Sequence, residues 1–148
     1  MTDIREETIE ELNDITKLMI DSFKGYKSAI DESDDSFSLR QEFAQRAERR
    51  SIYIAEIQDY VRSLGGEPAV NGTARGAVHR GWLNFANIFR DDERGALNAV
   101  ENGESYLAES IEDVLEDDDI DARGRDLLRK AHADVAAGRD FAGLLEDD

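Results

Sequence analysis

The chain has 148 residues, 18 Lys and Arg against 35 Asp and Glu, and no cysteine, for a net charge of −17. Its length suits one domain over residues 1–148, long enough to bury a single core. The acidic excess argues against non-specific nucleic-acid binding and anionic membranes, which need clustered positive charge, and the missing cysteine removes disulfides, thiol catalysis and thiolate metal sites.

The first predicted helix carries Ile9, Leu12, Thr16, Met19, Phe23, Tyr26 and Ile30 at alternating spacings of three and four. That is a stripe on one helix face. Asp3 and Glu6 have the spacing expected of a capping box at its start, and the polar run from Asp31 to Ser36 is expected to end it. The second helix is expected to begin near Ser38, with Gln41 reaching back. Its seam is Phe43, Ala47, Arg50, Ile54, Ile57, Val61 and Leu64. Gly65-Gly66 stops it, because glycine accepts the left-handed conformation at a helix end, and Pro68 prevents resumption.

A loop through Asn71-Gly72-Thr73 leads to a shorter helix with Val78, Trp82, Phe85 and Phe89 on one side. The fourth helix carries Leu97, Val100, Glu104, Leu107, Ile111 and Val114. Asp117-Asp118-Asp119 separates it from a last helix whose inward residues are Ile120, Leu127, Leu128, Ala131 and Val135. No alternating run is long enough for a strand. The pattern is all-α: an up-and-down four-helix bundle with an additional short helix in a long crossover, short connections making neighbours antiparallel.

Two features bear on location. The longest stretch without a charge, residues 81–89, has nine residues, far short of the ~20 a membrane helix needs. The N-terminus is acidic and polar, unlike a signal peptide. A soluble, cytoplasmic protein is expected, without membrane or nucleic-acid partners.

Charge is unevenly placed. Residues 101–119 hold nine acids and no base, whereas residues 40–62 and 120–140 each hold five bases and four acids. An acidic helix packed between two near-neutral ones would reduce its self-repulsion.

Four motifs stand in order: Gly25-Tyr26, Leu64-Gly65-Gly66-Glu67-Pro68, His79-Arg80-Gly81-Trp82 and Gly103-Glu104. With this spacing the chain resembles, from about residue 8 to about residue 140, the ferritin-like four-helix-bundle family of small bacterial proteins of unknown function, a domain-of-unknown-function family. The resemblance implies a helical bundle, a bacterial cytoplasmic setting and frequent self-association. It implies no reaction. It also places Phe23 where related proteins are expected to carry a first-helix glutamate.

A bundle-core di-metal site needs a Glu from each of two helices and Glu-x-x-His from the other two, and the chain has no Glu-x-x-His. Glu48, Glu104 and His132 remain as candidate ligands for a single-metal remnant. Glu104 sits on an apolar seam, and a buried carboxylate must be paired or neutralised. Arg50, on the seam of the second helix, is its natural partner. His79, Trp82 and Tyr26 could form a small pocket at the bundle end. The region from Asp31 to Glu42 imitates a calcium loop but has Ser36 at the place of the turn glycine.

No catalytic constellation is complete. The leading expectation is therefore a non-catalytic bundle, active through self-association or partner binding, with a stress-related role and no cofactor. A homodimer is expected, since Ile15, Leu18, Ile20 and Ile52 widen the apolar faces. The alternative is a degenerate ferritin-like protein binding iron or another divalent metal and taking part in oxidation chemistry.

Overall fold

The computed structural model describes residues 3–33, 36–73 and 93–146. They contain four helices, α1 (Ile4–Glu32), α2 (Phe37–Ser63), α3 (Glu93–Leu115) and α4 (Ala122–Glu146). No strand occurs among the described residues. The short helix expected around Trp82 lies outside them.

Local chemistry sets the helix ends. Asp3 is extended and its side chain accepts from Arg5 N at 2.8 Å, capping α1. The cap of α2 is Ser36, two residues before the expected Ser38. Its backbone is extended (φ −128°, ψ 102°) and its hydroxyl accepts from Leu39 N at 3.2 Å. Any Ser that leaves the helical region can serve three residues ahead of a free N–H, and capping by Ser36 lengthens the helix by two residues over capping by Ser38. At the far end Gly65 has φ +87°. Gly65 N donates to Arg62 O at 2.9 Å and Gly66 N to Val61 O at 3.0 Å, satisfying two terminal carbonyls.

α1 packs against α2 and α3, and α4 against α3 and α2. α2 and α3 therefore stand on one diagonal, with no close backbone approach. Cross-links at one end fix the directions. Arg5 Nη1 donates to Leu64 O at 2.7 Å, joining the start of α1 to the end of α2. Asp121 N donates to Thr8 Oγ1 at 3.0 Å, placing the start of α4 there too. Arg125 Nη1 donates to Leu115 O at 2.7 Å, adding the end of α3. We call this the acidic end. α1 and α2 are antiparallel, as are α3 and α4, while α2 and α3 run parallel. The connection after α2 must therefore return the length of the bundle, about 40 Å for a helix of 27 residues.

The described part of that return, residues 64–73, is a strap clamped along α1. The Asn13 amide reads it at two points, donating to Glu67 O at 2.9 Å and accepting from Ala69 N at 2.8 Å. Gln58 Nε2 donates to Ala69 O at 2.8 Å. Buried Asp21 accepts from Thr73 Oγ1 at 2.7 Å. Glycine is required where the strap presses on α1: a Cβ at Gly66 would sit 2.8 Å from Ile9 Cγ2, and one at Gly72 would overlap Asp21 Oδ1. The Gly-Gly-Glu-Pro motif thus both ends a helix and seats a strap.

The interior divides into two apolar clusters. One, toward the acidic end, includes Leu12, Met19, Ile57, Leu107, Ile111 and Leu128. The other, toward the opposite end, includes Tyr26, Phe43, Ala47, Leu97, Val100 and Ala142.

Candidate functional site

Between the two clusters every helix contributes a polar residue. On α1 Ser22 falls between Met19 and Tyr26. On α2 Arg50 falls between Ala47 and Ile54. On α3 Glu104 falls between Val100 and Leu107, and on α4 Asp134 falls between Ala131 and Ala142. Arg50 is 1% exposed, Glu104 0% and Asp134 7%. The layer lies on the bundle axis.

The Arg50 guanidinium organises it. Nη1 and Nη2 donate to Glu104 Oε1 and Oε2 at 2.9 and 2.6 Å. This is a bidentate fork, the strong geometry for an arginine–carboxylate pair. Nε donates to Asp134 Oδ2 at 3.0 Å, and Nη1 also reaches Ser22 Oγ at 2.7 Å. The Ser22 hydroxyl donates in turn to Met19 O at 2.6 Å. Tyr26 OH donates to Glu104 Oε2 at 2.8 Å. Glu104 thus accepts three donors from two helices. Gly138 leaves room for this, since a Cβ there would overlap Glu104 Oε2 and Tyr26 OH.

Electrostatics follow from the packing. Burial alone would push the Arg50 pKa down, but the Glu104 charge, with help from Tyr26 and Asp134, more than offsets it and leaves it raised. Arg50 is a fixed cation. Burial, and then the Glu104 charge, hold the Tyr26 hydroxyl well above its ordinary value, so it stays a donor.

The arrangement places a cation between a carboxylate from α3 and one from α4. A bridging metal ion would occupy the same position. The donor set therefore does not fit a metal at the axis: Glu104 is saturated by Arg50 and Tyr26, and Asp134 is engaged by Arg50. Glu48 is exposed on α2. His132 Nε2 lies 2.7 Å from Glu112 Oε2 on the outside of the α3/α4 pair. Glu48, Glu104 and His132 are not brought together. Tyr26 belongs to the buried layer, while His79 and Trp82 lie outside the described residues. Phe23 is half-buried and packs against both apolar clusters.

Asp134 and Ser22 are functional neighbours that the sequence reading did not single out. Asp134 had a signal: it stands three residues after Ala131 and seven after Leu127, on the inward face of its helix. Ser22 carried none.

Among the described residues, one group of carboxylates converges, Glu7, Glu11 and Asp117, at the acidic end. Burial first, and then neighbouring acids that include Glu10 and Asp117, raise the pKa of Glu7 and Glu11. Among the described residues, no helix is long and apolar enough to cross a membrane.

The chain belongs to the family described as a domain of unknown function, DUF2383, which matches residues 7–117. The match spans α1 to α3, so Asp134 and Gly138 of α4 lie beyond it. A comparison with curated proteins finds no match.

Proposed function

We propose that this DUF2383 member is a non-catalytic bundle that works by self-association, as a homodimer. The observation that carries this reading is the guanidinium of Arg50 between Glu104 and Asp134. The polar groups of this layer are spent on one another, and the protein's own cation stands where a catalytic ion would. What remains for function is the surface. The single long return between α2 and α3 supports a ferritin-like relationship. A bacterial cytoplasmic setting is carried by the resemblance and by a core held without disulfides.

Sedimentation equilibrium at micromolar chain concentration tests the reading. A mass near twice 16.6 kDa is expected, and a mass near 16.6 kDa overturns it. Elemental analysis of protein purified without chelator is expected to show no stoichiometric iron or zinc. Bound iron that is lost in Glu104→Ala would overturn the non-catalytic reading instead.

A further inference from the structure

The chain contains the dipeptide Asn-Gly twice, at Asn71-Gly72 and at Asn102-Gly103. An asparagine before glycine is open to attack on its side-chain carbonyl by the next backbone nitrogen, because glycine has no Cβ to shield that nitrogen. Both asparagines are exposed, so solvent access does not separate them. The backbone does. Asn102 and Gly103 lie inside α3, where the Gly103 N–H belongs to the helix ladder and the helical ψ at Asn102 turns that nitrogen away from Cγ. The Asn102 amide is also engaged, Nδ2 donating to Asn98 Oδ1 at 3.1 Å. Asn71 and Gly72 lie in the strap, outside any helix, and neither takes part in a hydrogen bond among the described residues.

We propose that Asn71 is a site of spontaneous deamidation through a succinimide, and that the isoaspartate it yields unlatches the strap from α1. In the first step Gly72 N attacks Asn71 Cγ. The N–Cγ bond forms, the Cγ–Nδ2 bond breaks, and Nδ2 leaves as ammonia with the proton that Gly72 N gives up. Water then opens the ring. Breaking N–Cγ leaves an ordinary aspartate. Breaking the bond from Gly72 N to the main-chain carbonyl carbon leaves isoaspartate, in which the chain runs through Cβ and Cγ. The strap is anchored on both sides of this pair. Ala69 N donates to Asn13 Oδ1 and Ala69 O accepts from Gln58 Nε2, each at 2.8 Å. Thr73 Oγ1 donates to Asp21 Oδ2 at 2.7 Å, and Thr73 N reaches both Asp21 oxygens at 3.3 Å. Isoaspartate lengthens the main chain by a methylene between these anchors and leaves a carboxylate beside it. There is no room for either on the α1 side, since even a Cβ at Gly72 would overlap Asp21 Oδ1. Asp21 is itself a buried carboxylate, so the new charge is repelled as well. The anchor at Thr73, which rests on Asp21, is the one that gives way.

The test ages the full chain in warm, mildly alkaline buffer and then cuts it with trypsin for mass spectrometry. The peptide of residues 63–75 should gain the mass that replacing an amide NH2 by OH supplies, with isoaspartate among the products. The peptide of residues 95–123, which holds Asn102, should not change. In urea, where α3 is gone, both should react. In the aged, folded chain the Thr73 amide should exchange with deuterium roughly tenfold faster than in fresh protein, the loss of one hydrogen-bonded anchor. Asn71→Gln, which would have to close a larger ring and does so far more slowly, should keep its Thr73 protection after the same treatment. Equal reaction at Asn71 and Asn102 in the folded chain, or none at Asn71 while the chain in urea reacts, overturns the assigned site. Isoaspartate at position 71 with Thr73 still protected overturns the unlatching.

Discussion

Arg50 and Glu104 meet across the long diagonal of the bundle, two fully buried side chains on helices whose backbones do not touch, joined by bonds of 2.9 and 2.6 Å. Only long side chains span that gap. Their pairing therefore helps to set the relative height of α2 and α3.

The first expected outcome concerns that layer. Glu104→Leu or Arg50→Met alone should cost about 3–5 kcal/mol, because each strands a buried charge. The double replacement should recover only part of the loss, since Asp134 would still be buried without Arg50. Adding Asp134→Asn should recover most of the remainder. A urea-denaturation cycle over the three positions checks this. Full recovery in the double variant would show that Asp134 finds water instead.

Gly138→Ala should destabilise by about 1–3 kcal/mol, the usual cost of an overpacked methyl. The added carbon must displace Glu104 or Tyr26. Combining it with Tyr26→Phe, which removes one of the two clashing oxygens, should cost less than the sum of the two changes. Additive losses would mean that Tyr26 is not what the methyl meets.

How much of this was legible in the sequence differs by residue. Arg50 and Glu104 announced themselves by sitting on stripes of apolar neighbours, and periodicity finds such intruders. The Gly65-Gly66 stop was equally plain, because a positive φ has few other tenants. The strap's seat was not legible. Asn13 and Asp21 look like ordinary polar residues of an acidic helix until the returning chain is laid against them. Nor could spacing reveal that α2 and α3 are diagonal, since a helix stripe shows which face is inward but not which neighbour it meets.

Alkaline pH should weaken the fold through Tyr60. Partial burial and its bond to Asp121 push its pKa from 10.0 up to about 12. A raised value means the folded state holds the proton longer than the unfolded chain. The contribution is fully present below pH 10 and is lost as pH rises from 10 to about 12. Tyr60→Phe should flatten stability against pH in that window. An unchanged slope would remove Tyr60 as the cause.

The acidic end should respond in the other direction from most carboxylates. Glu7 and Glu11 have pKa values raised from 4.5, by burial first and then by neighbouring acids. Their contribution is present below pH 4.5 and lost as pH rises through the folded value. Glu11→Gln should therefore stabilise the protein at neutral pH, with the gain fading as the solution is acidified toward 4.5. Thermal melts at several pH values check this. A gain that persists in acid would point to something other than charge.

The long return between α2 and α3 also shapes how the molecule comes together in time. Each helical hairpin, α1–α2 and α3–α4, is held by contacts close in the chain, so each can assemble early and quickly. Their union has to wait until the strap has closed a loop of bundle length and three charged groups have shed their water. Arg50, Glu104 and Asp134 should thus read as late-forming in folding kinetics, with φ-values near zero, while Phe43 and Leu128 read higher. Loosening the strap by Asn13→Ala should slow the union rather than the hairpins. Stopped-flow traces that show the buried charges already engaged at the barrier would reverse that order.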